Sequence, residues 1–205
     1  MKNNEQGRSM VEMLGVLAII GVLSIGGIAG YSKAMNKYKV NKVTDQVTQI
    51  VAGTRALFAG HRTYAALGSS NNVTLITKAH LFPDDLITTS SGSAAVADNI
   101  FHGSVTLKVS DKKTSNDNKA FVITYTNIPQ EACVDLATQD WGAGTSSGMV
   151  AISINDSSID STYTSSSGSA KIAVPGSSNP VPMKVSSAVS ACSNAQNNTI
   201  YWKFY

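Results

Sequence analysis

From Met13 to Tyr31 the chain carries no charged side chain, and Ser24 is its only appreciably polar residue. No other feature limits so tightly what this sequence can fold into. About nineteen residues at ~1.5 Å each make a helix of ~28 Å, close to the ~30 Å hydrocarbon thickness of a bilayer. The segment reads as a membrane span rather than a buried core helix, because few domains in a chain of 205 residues bury so many apolar side chains on every face. A cleavable secretory signal is the competing reading, with Lys2 and Arg8 as its basic start and Ile28-Ala29-Gly30 as a cleavage point. Two details oppose it. The apolar run exceeds the usual length of such a signal, and Glu12 sits at its edge, where a carboxylate is costly to insert and requires a partner.

Beyond the span the composition changes. Ser, Thr, Asn and Gly dominate after Gly68, and only 14% of the whole chain is charged, yet aliphatic and aromatic residues recur in strand-length runs. That pattern suits a β-rich domain with long polar loops outside the cytoplasm rather than a disordered tail. The net charge of +3 is too mild for nucleic-acid binding. The densest basic cluster (Lys33, Lys37, Lys39, Lys42) adjoins the span, as interfacial lysines do. It outnumbers the cations before the span, so charge bias alone does not set the amino terminus inside. The cysteines and the Ser/Thr-rich domain place the rest of the chain outside. The two cysteines, Cys133 and Cys192, have one disulfide as their simplest use in an exported chain and two buried thiols as the alternative. Closing such a loop stabilises by roughly 4 kcal/mol in the chain-entropy model.

The stretch Gly7-Arg8-Ser9-Met10-Val11-Glu12-Met13-Leu14-Gly15-Val16-Leu17 resembles the prepilin signature of type IV pilins and type II secretion pseudopilins: a short polar leader ending in Gly, four residues, a Glu, then an apolar helix. The resemblance implies that a prepilin peptidase cuts after Gly7 and methylates the new amino terminus, Arg8. It implies that Glu12 pairs with the terminal amine of a neighbouring subunit, which makes an intramembrane carboxylate tolerable. Arg8 stands where the family usually has an apolar residue. The implied partners are further copies of this chain in a helical homopolymer, the peptidase, the inner-membrane pilus assembly machinery, and the membrane before assembly. The implied location is the bacterial inner membrane for the precursor, then an extracellular pilus.

No proline precedes Pro83, so one long helix is allowed. After Tyr31 it turns amphipathic: Val40, Val43, Val47, Ile50, Thr54 and Leu57 alternate in spacings of three and four, with Val51 and Phe58 widening the stripe. The helix is predicted to end near Gly60. Its stripe packs either on a sheet or in a coiled coil, and the strands that follow favour the sheet. Gly26, Gly27 and Gly30 are points where weak helix propensity permits local melting. Residues 60–100 read as a connecting region, with Phe82–Leu86 as a turn opening an acidic helix start; Asp84 and Asp85 serve as caps or as metal ligands. Predicted strands are Val105–Val109, Phe121–Tyr125, Met149–Ile154, Lys171–Val174, Val181–Val185 and Ile200–Tyr205, with short helices over Pro129–Thr138 and Ser186–Ala195.

The predicted fold class is α+β, pilin-like: a long N-terminal helix, transmembrane in its first half and amphipathic in its second, packed on an antiparallel sheet. The predicted divisions are a leader over 1–7, a membrane and filament-core helix over 8–31, its amphipathic continuation over 32–60, and a globular head with one disulfide over 61–205. Length and cysteine spacing are most like the type IVb pilins, and in the resemblance Cys133 and Cys192 bound the variable surface of the filament. No enzyme, cofactor or metal site is expected. His61, His80 and His102 lack metal spacing, and Gly142, Gly144 and Gly148 fall in a Ser/Thr loop with no Lys to cradle phosphate. The functional expectation is a major pilin; a minor pilin, a pseudopilin and an exported or membrane-anchored binding domain are the alternatives.

Overall fold

The computed structural model describes residues 10–68, 73–88, 96–112, 116–142, 148–160 and 171–205. Helix α1 runs unbroken over Met10–Phe58, 49 residues, through Gly26, Gly27 and Gly30. The chain forms two compact units, one ending at Tyr38 and the other running Lys39–Tyr205.

Within the second unit α1 buries Val40, Val43, Val47, Ile50, Val51, Thr54 and Phe58. The apolar ones join one core with Phe121, Ile123 and Tyr125 of strand β4 (Ala120–Ile128) and Ile200, Trp202 and Phe204 of strand β7 (Asn198–Phe204). The sheet, not a second helix, is thus what the stripe packs against. Its phase differs from the heptad reading at one end: Leu57 is 41% exposed, whereas Phe58 is 6% exposed. A straight α-helix repeats every 3.6 residues and drifts about 20° per heptad from a 3.5 repeat, so five steps from Val40 arrive at Phe58. Helix α1 ends there, two residues before Gly60.

Between α1 and the sheet the connecting region holds a 3₁₀ turn at Ala65–Leu67, helix α2 (Val73–Lys78) and a second 3₁₀ turn at Asp84–Leu86. A two-stranded ribbon of β1 (Ile87–Thr88) and β2 (Val96–Ala97) follows, with no alternating pattern in the sequence to announce it. Strand β3 (Val105–Ser110) and β4 form the expected hairpin in register Leu107 opposite Ile123. Its polar turn is stitched internally: Asp111 accepts the amides of Asn116 and Asn118, and Asp117 accepts those of Lys112 and Lys119. Helix α3 (Gln130–Thr138) starts after Pro129, and β5 (Met149–Ile154) and β6 (Ile172–Ala173) complete the sheet with β7.

The five strands are ordered β3-β4-β7-β5-β6 and every pairing is antiparallel. The last strand in the sequence is therefore the middle strand of the sheet. Trp202 faces Ile123 on one side and Ile152 on the other, and its ring meets those of Tyr125 and Trp141 edge to face at 5.5 and 5.3 Å. Such aromatic pairs contribute about 0.5–1.5 kcal/mol beyond their area burial.

One predicted strand is absent. Val181–Val185 crosses to α3 instead, with the Met183 amide donating to the Ala137 carbonyl. Pro182 has no N–H to give a ladder, and the Val181–Pro182 bond is cis. Helix α4 takes up Val185–Ala191 and stops at Cys192, short of the predicted Ala195, because the Asn-rich segment beyond forms side-chain turns.

The sheet's other face is also covered. Val122, Ala151, Ile159, Ile172 and Val174 form a second small core there. Lys203 lies under it with no exposed area, its Nζ donating to the Ile159 carbonyl at 2.7 Å. Lys203 lies opposite Val122 and Ala151, and the central position of β7 buries it between them.

Phe58→Ala is expected to cost about 3 kcal/mol in denaturant unfolding of the detergent-solubilised chain, and Leu57→Ala under ~1 kcal/mol. Equal costs would show that the helix phase is wrong.

Candidate functional site

The first unit carries the apolar run. Met10 is 83% exposed, Leu17 62% and Ile25 73%, and no side chain in this part of α1 is buried. A window of this helix has a mean hydropathy of 2.2. Ser24 does not interrupt the surface, since its hydroxyl donates to the Ile20 carbonyl at 2.8 Å, inside the helix's own hydrogen-bond ladder. Glu12 lies on this helix, exposed, and is its only carboxylate before Asp45. Gly7 and Arg8 lie outside the described residues. Among the described residues of the second unit the exposed large apolar side chains are few: Leu57, Val185, Val189 and Tyr205. The demand for an apolar covering is concentrated in the first unit.

Cys133 of α3 and Cys192 at the end of α4 are joined by a disulfide that closes a separation of 59 residues, with Cα atoms 6.0 Å apart. Both are fully buried. Two residues not singled out by sequence, Asn155 and Asn198, hold this junction. Asn155 adopts φ 54°, donates from Nδ2 to the Ala191 carbonyl and to Asn198 Oδ1, and accepts the Thr199 amide. Asn198, fully buried, donates to the Ile128 carbonyl at 3.0 Å and accepts the Asn194 amide. Gln130 adds a bond from Nε2 to the Cys192 carbonyl. The signal for these residues is the Asn-rich run Asn194–Asn198, which in the sequence alone looks like an ordinary loop.

Asp85, expected as a cap or a metal ligand, engages helix α1. It accepts from Lys42 Nζ and from Gln46 Nε2, both at 2.9 Å, and so fastens the connecting region to α1. Gln46 is buried, 3% exposed, and occupies a polar position within the apolar stripe. Burial raises the Asp85 pKa, but the Lys42 ammonium and the Gln46 amide outweigh it and hold the carboxyl below its ordinary value near 3.8. A depressed carboxylate adds stability above its unfolded-state pKa and loses it as pH falls through the folded one. Tyr125 is shifted upward, by burial first and by the charge on Asp85 second. Asp85→Ala is expected to cost about 1 kcal/mol at pH 7. That difference should shrink in thermal unfolding as the pH falls below 3.8 and toward the lower folded-state pKa; a cost independent of pH would rule out the charged pair as its source.

A helix with an exposed apolar start, whose remainder packs on an antiparallel sheet closed by a C-terminal disulfide, defines a type IV pilin. The chain belongs to the PilS N-terminal family, whose model matches residues 37–204. It is 26% identical over 137 residues to the toxin coregulated pilin of Vibrio cholerae serotype O1, a match covering 67% of this chain and 58% of that protein. It is 27% identical over 143 residues to the major structural subunit of the bundle-forming pilus of Escherichia coli O127:H6, covering 69% of this chain and 68% of that one. Among solved structures, the type IVb pilin of Salmonella typhi superposes with a TM-score of 0.53 at 18% identity, over 78% of this chain and 97% of that chain. The type IV pilin of the Vibrio cholerae El Tor biotype gives 0.55 at 16%, over 82% and 99%. These two structures share the fold with this chain.

Proposed function

We propose that this chain is a structural subunit of a type IV pilus, and a major one. It polymerises with copies of itself through its N-terminal helix after a prepilin peptidase cuts at Gly7. The observation that carries this reading is the exposure of apolar side chains all round α1 in the first unit, which water cannot solvate cheaply. Lipid covers that surface in the inner-membrane precursor, held among the assembly machinery, and neighbouring α1 helices cover it in the extracellular filament. The names of the relatives support the reading, since both describe pilus proteins and one a major structural subunit.

In this account residues 1–7 are the leader, 8–31 the membrane and filament-core segment, 32–60 its amphipathic continuation and 61–205 the head. Arg8 becomes the methylated amino terminus. Glu12 is the register residue: its carboxylate enters an apolar bundle only where a neighbour's terminal amine neutralises it, so each added subunit stops at one axial position.

N-terminal sequencing of the mature protein should begin at Arg8; a start near Tyr31 would replace this reading with ordinary secretion. Glu12→Ala protein should be processed normally and yield fibres reduced by more than about tenfold in electron micrographs, since loss of one partner strands a buried charge. Wild-type fibre yield from that variant would remove the role given to Glu12.

A further inference from the structure

A cavity of about 310 Å³ opens on the second unit, lined by Lys39, Phe101, His102, Asn127, Pro129, Gln196 and Asn197. It lies at the low end of the roughly 300–1,000 Å³ typical of small-molecule sites. We propose that it binds a carboxylated sugar residue. This inference does not depend on filament assembly.

The base of the cavity is rigid. Asn99, 3% exposed, accepts the amides of Phe101 and Gly103 at its Oδ1 and donates from Nδ2 to the Thr126 carbonyl at 2.9 Å. A Cβ at Gly103 would drive into that same carbonyl, so the two strand ends meet as closely as backbone allows. His102 and Asn127 both hold left-handed conformations, φ 60° and 58°, and Asn127 Nδ2 donates to the His102 carbonyl at 3.0 Å. Such conformations are uncommon outside glycine, and they persist where the surroundings over-determine them. Gln196 and Asn197, also in the lining, sit between two anchors, the Gln130 amide bonded to the Ala195 carbonyl and the buried Asn198.

Apart from the Lys39 contact with the Phe101 ring, the functional ends of the lining are uncommitted among the described residues. Lys39 Nζ lies 5.4 Å from the centre of the Phe101 ring and forms no ion pair there. Gln196 and Asn197 make no side-chain hydrogen bonds, and Asn127 retains its Oδ1. The lining contains no carboxylate; Glu131, the nearest along the chain, lies beyond Pro129 in the first turn of α3. Side-chain amides offer donors and acceptors together, as sugar hydroxyls require. The half-buried Phe101 gives an apolar wall for a sugar's C–H face. The Lys39 ammonium selects a carboxylate over a neutral analogue. A phosphate site would need donors alone, and the amide acceptors argue against one.

The test is titration of the detergent-solubilised full-length chain with N-acetylneuraminic acid, followed by saturation-transfer NMR, with methyl glucoside and inorganic phosphate as comparison probes. Saturable binding near ~1 mM is expected. Lys39→Gln should weaken it by about tenfold, and Gln196→Ala with Asn197→Ala should weaken it severalfold. Lys119→Gln, at the far end of the β3–β4 hairpin, should leave it unchanged. All variants should melt with the wild type, because none of these side chains makes a hydrogen bond to the rest of the fold. Absence of saturable neuraminate binding overturns the proposal. So does equal affinity for phosphate, which would mark a plain anion hole, and so does indifference to both the Lys39 and the Gln196/Asn197 changes.

Discussion

The second unit depends on one contact: the buried stripe of α1 against the middle strand of the sheet. Val47, Ile50 and Phe58 meet Trp202 and Phe204 in a common core, and Trp202 has no exposed area. Because β7 is flanked on both sides, its inward residues gain neighbours from β4, β5 and α1 together. The rest of the head is arranged to bring that strand home. The disulfide and the Asn155–Asn198 pair lock the segment immediately before it, and Gln130 ties the start of α3 to the same junction. Strand β7 pairs only with strands far away in the chain, β4 and β5, so its loop-closure cost is offset by packing rather than by local propensity.

Polar groups fix the arrangement where apolar packing leaves it free. Asp85 joins Lys42 and Gln46 across the gap between the connecting region and α1. Lys203 spends its ammonium on the Ile159 carbonyl beneath the second core. Neither is a strong source of stability, because a desolvated charge recovers through its bonds only what burial took from it. Both specify position: each would be left unsatisfied if its segment docked one residue away.

Several elements were legible in the sequence because their cause is local. The apolar run, the 3.6-residue stripe, the β3–β4 hairpin and the proline before α3 all follow from periodicity and backbone chemistry confined to a few residues. The misses share a different cause. Leu57, read into the stripe beside Phe58, is a phase error from reading a heptad onto a straight helix. Val181–Val185 has strand-like composition, but Pro182 removes the donor it needs, and α3 supplies a closer partner than the sheet. The burial of Lys203 carries no signal in the sequence, because alternation gives the faces of a strand without giving its neighbours. Asn155 and Asn198 were passed over because a polar residue in a polar loop looks alike whether it is solvated or buried.

The sequence by itself determined that the chain carries a helix needing an apolar environment over Met13–Tyr31, and that the helix then becomes amphipathic. Hydrophobic length and period are properties of neighbouring residues, and they survive without any knowledge of the fold. Only the tertiary structure decided that the final strand lies at the centre of the sheet, that both faces of the sheet are covered, and that Lys39, His102, Asn127 and Asn197 line one cavity. Those facts rest on residues far apart in the chain, brought together by burial of the α1 stripe, and no local pattern records which distant partner each side chain meets.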